Sequence, residues 1–554
     1  MTRTAGDKNN FIRSVIACMV FGITISACTI SCVAGSNQPT EQFLFKEYEI
    51  TLGSTERQSI LTGFFLGGAM ADIAVLHTDH NHLCNLRIYG FDNNTWVPKL
   101  DKTLHPEVLF VDVANIGGHD RLITYENGCL NWFDPESMTE HALIPVTSSF
   151  NRPRRNEIPN VDMTHDVNHD GRDDLLVPDV DGFWVFVQMN DGTFAEPVKI
   201  GPPPEFGRIY GADGYKYNPW SQSRVHETDY NQDGRSDLVF WNKDHFEVHL
   251  QFERGLFSPV AKSFTADIAF DSDNLSALAT GDMQGKVLYA FTDLNGDGVG
   301  DLVVFSLKGA HISSKHSVYE VHFGAPKPGG GIVFAPEADV VFESDGKIQL
   351  GMDRHDFDGD GDVDLMFTTI DLDFLEHSYW KRIKGFMGDD IWLELEFYKM
   401  KEGRYPDTPN TIRRIALDGV PSHREPGWVP LDFVLRGGKH ESRLLENKYP
   451  RAFNTTLRLD DLTGDGRADL LIGDHPWHMA IFAGVTGPTM FAQQHQNVAI
   501  APPNDEEYTS LVDLNKDGKL DILMHHPFTL RDAHGAPKLP PGTEPHRVTI
   551  LLAQ

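Results

Sequence analysis

The sequence predicts an all-β fold, a β-propeller of four-stranded blades closed into a ring. Three observations predict this fold. A short loop rich in carboxylates recurs along the chain, a short apolar run follows each copy directly, and each end of the chain holds one part of an incomplete unit. Self-similarity at this scale indicates a repeat architecture rather than a series of unrelated domains.

The clearest copy of the loop is Asp356–Leu365, which carries Asp at positions 1, 3, 5 and 9 and Gly at position 6. Calcium takes roughly six to eight oxygen ligands, and this spacing of carboxylates suits it. Glycine permits the sharp turn that folds a short loop around an ion. Five further loops begin at Asp166, Asp229, Asp293, Asp461 and Asp513. We therefore expect about six structural calcium sites, with no catalytic role for the metal.

In each loop, positions 1, 3, 5 and 9 would bind the metal through side-chain oxygens, and position 7 would bind it through its backbone carbonyl. The predicted metal ligands are Asp166, Asn168, Asp170, Asp174, Asp229, Asn231, Asp233, Asp237, Asp293, Asn295, Asp297, Asp301, Asp356, Asp358, Asp360, Asp364, Asp461, Thr463, Asp465, Asp469, Asp513, Asn515, Asp517 and Asp521.

Two earlier copies of the loop have lost most of these ligands. The first, Phe64–Leu76, keeps the final Asp72 and the apolar strand that follows it. The second, Asp112–Leu122, keeps only Asp112 and Asp120, and we expect hydrogen bonds rather than a metal to hold its turn. Eight units in total favour eight blades, and seven blades is the alternative because the first unit is weak.

The residues after each loop exclude a helix–loop–helix arrangement. EF-hands continue into a helix with a 3.6-residue period. Here the loops run into short apolar segments such as Leu175–Val177 and Leu302–Phe305, which are typical of buried strands. A further strand pair follows, for example Phe183–Met189 and the strand that ends at Ile200. Each unit is therefore strand, loop, strand, strand, turn, strand.

The ends of the chain predict how the ring closes. The last unit stops after its third strand, Val548–Ala553, and an extra strand, Phe43–Leu52, precedes the first unit. We predict that this N-terminal strand completes the C-terminal blade, which removes exposed sheet edges. Residues 43–554 would form a single propeller domain. Insertions at about 371–390, with helical character, and at about 418–452, irregular, would decorate one blade.

The loops, together with the Gly-x-Phe turns Gly192–Phe194 and Gly255–Phe257, resemble the FG-GAP/VCBS repeats of integrin α-chain propellers and of many secreted bacterial proteins. The resemblance covers nearly all of residues 43–554. Integrin-type propellers have seven blades, whereas this chain has eight units. The resemblance implies that partners bind the face of the ring opposite to the calcium loops.

That face would carry the connections between second and third strands and between blades. Aromatic rings there can stack on sugars, and Arg side chains suit carboxylate or sulfate groups. Surface ion pairs and packing of the loops are the alternative roles for these side chains. The predicted ligand-face residues are Arg208, Tyr210, Tyr215, Tyr217, Trp220, Arg224, Trp477 and His478. The nearby pairs His475/His478 and His525/His526 could suggest zinc, but they lack a third ligand at a typical spacing.

Composition and the N-terminus limit the partners and the location. The formal net charge of −32 argues against binding to nucleic acid or to anionic membrane surfaces. Residues 1–27 have the pattern of an export signal, and Ile25–Cys28 resembles a bacterial lipobox in which Cys28 becomes lipidated. Cleavage near Ala34 is the alternative. After a linker over residues 28–42, the chain would be anchored by lipid to the outer membrane or cell surface, or would otherwise be periplasmic or secreted.

The sequence favours a non-catalytic binding or adhesion module for a glycan, an anionic one included, or for a protein. It contains no G-x-S-x-G nucleophile, phosphate loop or H-E-x-x-H motif, and we assign no catalytic residue. The alternative is a polysaccharide lyase or hydrolase on a propeller scaffold. A lyase needs a base and an anion-stabilising group, for which Tyr215, Tyr217, His226 and Arg224 are the candidates.

Overall fold

The computed structural model describes most of residues 43–554. The undescribed residues are 1–42, 53–57, 79–80, 82, 127, 147–157, 159, 180, 204–215, 218–224, 271–284, 309–315, 345–346, 372–390, 418–455, 476–477, 488, 501, 504–507 and 527–545. The predictions of an export signal, of Cys28 lipidation, of the linker and of the two insertions all lie outside the described residues.

The strands form eight four-stranded antiparallel blades, numbered here in chain order with the inner strand first. Blades 1 to 4 contain β2 (Gln58–Gly63), β3 (Asp72–Thr78), β4 (Cys84–Asp92) and β5 (Thr95–Thr103); β6 (Phe110–Ile116), β7 (His119–Glu126), β8 (Cys129–Asp134) and β9 (Thr139–Pro145); β11 (Thr164–His165), β12 (Asp174–Asp179), β13 (Gly182–Phe186) and β14 (Val198–Ile200); and β16 (His226–Thr228), β17 (Asp237–Asn242), β18 (His245–His249) and β19 (Lys262–Phe264).

Blades 5 to 8 contain β20 (Lys286–Thr292), β21 (Asp301–Lys308), β22 (His316–His322) and β25 (Val340–Glu343); β26 (Lys347–His355), β27 (Asp364–Asp371), β28 (Ile391–Tyr398) and β29 (Thr411–Leu417); β30 (Thr456–Asp460), β31 (Asp469–His475), β32 (His478–Phe482) and β33 (Gln496–Val498); and β34 (Thr509–Val512), β35 (Asp521–His526), β36 (Arg547–Ala553) and β1 (Phe45–Thr51). Four short strands are additional to the blades: β10 (Asn160–Val161) and β15 (Lys216–Tyr217) extend blade 2 at its inner edge, and β23 (Gly324–Pro326) and β24 (Ile332–Phe334) form a separate hairpin between the third and fourth strands of blade 5.

The N-terminal strand closes the ring, as predicted. Strand β1 pairs antiparallel with β36 along its whole length, from Phe45 opposite Ala553 to Thr51 opposite Arg547. It is the outer strand of blade 8, whose other three strands come from the C-terminus. The first and last residues of the propeller therefore belong to one sheet, and the ring cannot open without breaking this strand pairing.

Apolar clusters between neighbouring blades hold the ring together. Seven such clusters lie within the described residues, each shared by two adjacent blades. Strand β12 shows the consequence, because all of its residues are buried between two neighbouring sheets. The seam between blades 6 and 7 packs the Phe397 ring against the Phe491 ring at 5.6 Å between centroids. It also holds a cation: the Arg413 guanidinium lies 4.5 Å from the Phe482 ring centroid and donates to the Phe491 carbonyl at 2.9 Å. The eight-blade prediction is confirmed and the seven-blade alternative is wrong.

The two predicted insertions fall before and after β28 and β29 in the sequence. These are the third and fourth strands of blade 6, so the four-stranded sheet is complete without either insertion. A three-residue 3-10 turn, Glu253–Gly255, is the helical element within the described ranges. No helix in this part of the chain is long and apolar enough to cross a membrane.

Antiparallel order gives the ring two distinct faces. The loops between first and second strands and the turns between third and fourth strands emerge on one side, which we call the metal-loop face. The other connections emerge on the opposite face. Strand β10 lies between β6 and β15 and pairs in parallel with both. Its Asn160 stands opposite Val111 of β6 and opposite Lys216 of β15. Lys216 and Tyr217 therefore lie at the inner edge of the ring towards the opposite face.

Candidate functional site

The six predicted metal loops share one internal hydrogen-bond pattern. In the first, the two carboxylate oxygens of Asp166 accept from the backbone N–H groups of Asp170 at 2.9 Å and Gly171 at 2.7 Å. Asn168 Oδ1 accepts from the Asp170 N–H at 3.0 Å. Gly171 adopts a φ of +82°, a conformation that favours glycine. In every loop, the Asp at position 1 accepts from the glycine N–H at position 6.

Position 9 links each loop to the rest of its blade. This Asp begins the second strand and is buried in all six loops. Its Oδ1 accepts from a backbone N–H at the end of the third strand, for example from Gln188 at 2.7 Å and from Met400 at 2.9 Å. Burial raises the pKa of Asp237 and Asp521 to about 6. It raises the pKa values of the other four to about 7 (Asp174, Asp301, Asp364 and Asp469).

The loop at Asp356 has the most compact cluster of carboxylates. Asp356, Asp358 and Asp364 each offer one oxygen, and these atoms lie within 4.8 Å of one another. Within the described ranges, no other group of three or more His, Cys, Asp or Glu side chains meets this distance. Asp358 Oδ1 and Asp364 Oδ2 are buried without a hydrogen-bond donor, as is Asp174 Oδ2 in the first loop. Such oxygens fit a hard cation, which would supply the missing positive charge.

Basic side chains also contact position 5 or position 3 of several loops. Arg172, Arg235 and Arg467 stand at position 7, and each guanidinium pairs with the position-5 Asp of its own loop. Each also donates through Nε to a carbonyl at the end of the third strand, as in the 3.3 Å bond from Arg172 to Gln188. Lys399 pairs with Asp358 in the fourth loop. The predicted ligand scheme assigns only the backbone carbonyl at position 7, so it does not include this partial neutralisation of the loops.

The second degenerate unit is a tight hairpin held by hydrogen bonds, as expected. Gly117 and Gly118, with φ of +62° and +82°, form the two-residue turn between β6 and β7. Asn115 Nδ2 donates to Asp120 Oδ1 at 2.7 Å. Asp112, however, does not belong to this turn: it lies within β6, and its Oδ2 accepts from the Met163 N–H at 2.7 Å in the approach to blade 3.

The first degenerate unit keeps the buried carboxylate without the loop ligands. Asp72 is 2% exposed, and its Oδ2 accepts from the Leu66 N–H at 2.7 Å. Burial raises the pKa of Asp72 to about 6. Asp72 therefore keeps the bond from the position-9 carboxylate to its own loop, in a unit that lacks the other predicted ligands.

The Gly-x-Phe turns connect each blade to the one before it. Phe257 of blade 4 is buried in the cluster shared with blade 3, and Phe194 of blade 3 packs against the cluster shared with blade 2. Gly255, at a φ of +77°, lies against Asn168 of the preceding loop, where an added Cβ would come within 2.4 Å of Nδ2. The motif therefore contributes a phenylalanine ring that packs between two blades and a glycine that lets the preceding metal loop approach closely.

The structure describes few of the predicted ligand-face residues. Tyr217 lies in β15 at the inner edge of the ring, and His478 begins β32 in blade 7, where its backbone pairs with His475. The other six lie outside the described residues (Arg208, Tyr210, Tyr215, Trp220, Arg224 and Trp477).

His525 and His526, one of the two pairs considered for zinc, and His226, considered for catalysis, are buried. Nε2 of His525 and of His526 has no hydrogen-bond partner, and burial lowers the pKa of each side chain to about 3. His226, the candidate lyase base, is 6% exposed, and its ring centroid lies 6.0 Å from that of Phe291. That position, inside the seam with blade 5, does not present the imidazole to a polymeric substrate.

Comparison with known proteins finds only distant structural similarity. No family model matches the chain, and no curated protein sequence matches it. Among solved structures, it is similar to an Agrocybe aegerita lectin that recognises non-reducing terminal N-acetylglucosamine, at 14% identity and a TM-score of 0.36, over 81% of this chain and 93% of the lectin. It is also similar to Sqt1 from Chaetomium thermophilum, at 9% identity and a TM-score of 0.37, over 92% of this chain and 100% of that protein. At these scores, the likeness carries no argument about ligands.

Proposed function

We propose that this chain is an exported, calcium-stabilised β-propeller of the FG-GAP/VCBS type, which acts as a non-catalytic binding or adhesion module for a glycan or a protein. The observation that carries the proposal is the position-9 carboxylate. In six blades it is buried, it joins the loop to the end of the third strand, and its neighbours are further carboxylates. A metal held there would stabilise the scaffold rather than act on a substrate.

The charge of the loops supports calcium as the missing component. Several carboxylates at close range disfavour one another's ionised form, and burial adds to this effect. When bound, calcium supplies the positive charge that permits all of them to be ionised together. The position-7 Arg side chains supply part of that charge in three loops, and Lys399 supplies part of it in a fourth.

The partner would bind the face opposite the metal loops. On that side the fourth strand of one blade is followed by the first strand of the next, and the sequence between β14 and β16 and between β29 and β30 is long. Strand β15 brings Lys216 and Tyr217 to the inner edge of the ring on that side. The net charge of −32 disfavours nucleic acid as the partner. Attachment to a membrane would come only through a lipid on Cys28, at the outer membrane or cell surface.

Two measurements test the proposal. Calcium should raise the thermal unfolding midpoint of the purified chain, and a chelator should reverse the change, since the metal binds the folded loops alone. A midpoint that is insensitive to chelation would refute the calcium sites. A screen against glycans and proteins, run with and without chelator, should find binding without turnover. New double bonds, detected by ultraviolet absorbance during incubation with uronic-acid polysaccharides, would instead identify a lyase.

A further inference from the structure

A cleft opens between blades 3 and 4 on the metal-loop face. Its volume is about 460 Å³, within the range of small-molecule sites. Asn168, Asp170 and Arg172 of the first metal loop lie on one wall, and Gln251, Arg254 and Gly255 of blade 4 lie on the other. The cleft thus lies between a predicted metal loop and the Gly-x-Phe turn that packs beside it.

Gln188 and Gln251 occupy equivalent positions in adjacent blades but differ in their partners. Each backbone N–H donates to the position-9 Asp of its own blade at 2.7 Å. Gln188 Nε2 then donates to the Asn115 and Asp173 carbonyls at 2.9 and 2.7 Å, and its Oε1 accepts from the Gly117 N–H at 2.9 Å. The side-chain amide of Gln188 therefore links blades 2 and 3 by hydrogen bonds.

Gln251 does not form the corresponding hydrogen bonds. Blade 3 presents a metal loop to it, whereas blade 2 presents the short Gly117–Gly118 turn to Gln188. The Gln251 side chain is 4% exposed, and its Nε2 is buried without an acceptor. A buried donor without a partner is rare in folded proteins, so this amide points to a bound group with acceptor oxygens.

Two further groups in the cleft are donors without an acceptor. Asn168 Oδ1 is turned towards its own loop, and its buried Nδ2 has no partner. Arg254 is exposed, and it forms no ion pair within the described part of the chain. Arg172 adds a guanidinium that is already paired with Asp170. Among the described residues, the cleft therefore combines one guanidinium that is free of an ion pair, the Arg172–Asp170 ion pair and two amide donors without an acceptor.

We propose that this cleft binds the carboxylate of a uronic-acid sugar. A carboxylate matches the fork of the Arg254 guanidinium, and its second oxygen can accept from the buried amides. The volume exceeds that of a single acidic side chain and accommodates a pyranose ring, whose hydroxyl oxygens are additional acceptors. The inference rests on the proposed function as a glycan-binding module. It places the uronate site on the metal-loop face, in addition to the opposite face on which the main partner would bind.

Asn168 would couple this site to calcium. Its Oδ1 is a predicted metal ligand, and its Nδ2 lines the cleft, so one amide serves both sites. A metal in the loop would hold this amide in the orientation that presents Nδ2 to the ligand. Because coupling is reciprocal, the uronate should also tighten calcium binding to the loop.

The test measures binding of galacturonate and glucuronate oligosaccharides to the full chain by calorimetry in calcium. We expect binding that weakens about tenfold in Arg254→Gln and in Gln251→Met, since each loses a hydrogen bond to a charged group. Arg404→Gln is the matched control, because Arg404 lies on the corresponding turn of blade 6, and it should bind as the unaltered chain does. Chelation should weaken binding of the unaltered chain about tenfold.

Several results would overturn the inference. Equal binding by Arg254→Gln and the unaltered chain would remove the cleft as the site, and this exposed substitution does not threaten folding. Equal binding of neutral oligosaccharides would exclude carboxylate recognition, and tighter binding of acidic dipeptides would exclude a sugar. No binding of any uronate would mean that the cleft holds only water. A calcium-sensitive unfolding midpoint with a partner from the broader screen would leave the proposed function intact in that case.

Discussion

Replacement of Asp364 by Asn tests the role assigned to the position-9 carboxylate. Asp364 is fully buried, and burial raises its pKa from 3.8 to about 7. Without calcium, the folded protein then binds this proton more tightly than the unfolded chain does. Stability is therefore unaffected below pH 3.8 and falls as the pH rises from about 4 towards 7. Asp364→Asn removes this loss because the amide stays neutral.

The expected magnitude follows from the size of the pKa change. About three pKa units correspond to about 4 kcal/mol, and water around the exposed loop should reduce this to about 2 kcal/mol. Asp364→Asn should thus raise the unfolding midpoint by a few degrees at pH 8 in chelator. In millimolar calcium, Asp364→Asn should instead lower the unfolding midpoint, because the variant lacks a ligand that calcium would bind.

Thermal unfolding followed by tryptophan fluorescence, with and without calcium, measures both signs. Asp72→Asn is the matched control, since Asp72 is equally buried and has a raised pKa but lies in a unit without the loop ligands. Its effect should have the same sign in calcium and in chelator. If Asp364→Asn changed the unfolding midpoint in the same direction in calcium and in chelator, the position-9 carboxylates would not be metal ligands.

Three other predictions concern the seams and the closure of the ring. Phe257→Ala should lower the free energy of unfolding by about 3–5 kcal/mol in urea titrations, because it empties a buried position in the seam between blades 3 and 4, while the exposed Phe252→Ala should change it little. Deletion of residues 1–52 should abolish cooperative unfolding in calorimetry, since blade 8 loses its outer strand, whereas deletion of residues 1–40 should not. The free energy of unfolding should fall as the pH drops from 6.5 towards 3, since the folded state keeps His525 and His526 neutral while the unfolded chain protonates them. His525→Gln should reduce the difference in this free energy between urea titrations at pH 7 and at pH 5. An unchanged difference would contradict the role of burial.

The sequence by itself determined the loops, the strands and the number of blades. The bonds from Asp166 to Asp170 and Gly171 close within six consecutive residues, so position and residue type suffice to specify them. The apolar runs after each loop are continuous because the strands are buried on both sides. Counting the strands at each end was enough to predict that β1 completes blade 8.

Only the tertiary structure decided what each loop contacts. Asp112 bonds to Met163 in the approach to the next blade, and Gly255 is a glycine because Asn168 of the preceding blade lies against it. Gln188 and Gln251 stand in the same register of adjacent blades, yet one is fully bonded and the other is not. These differences arise across seams, where the two partners are far apart in sequence and their contact depends on how neighbouring sheets pack.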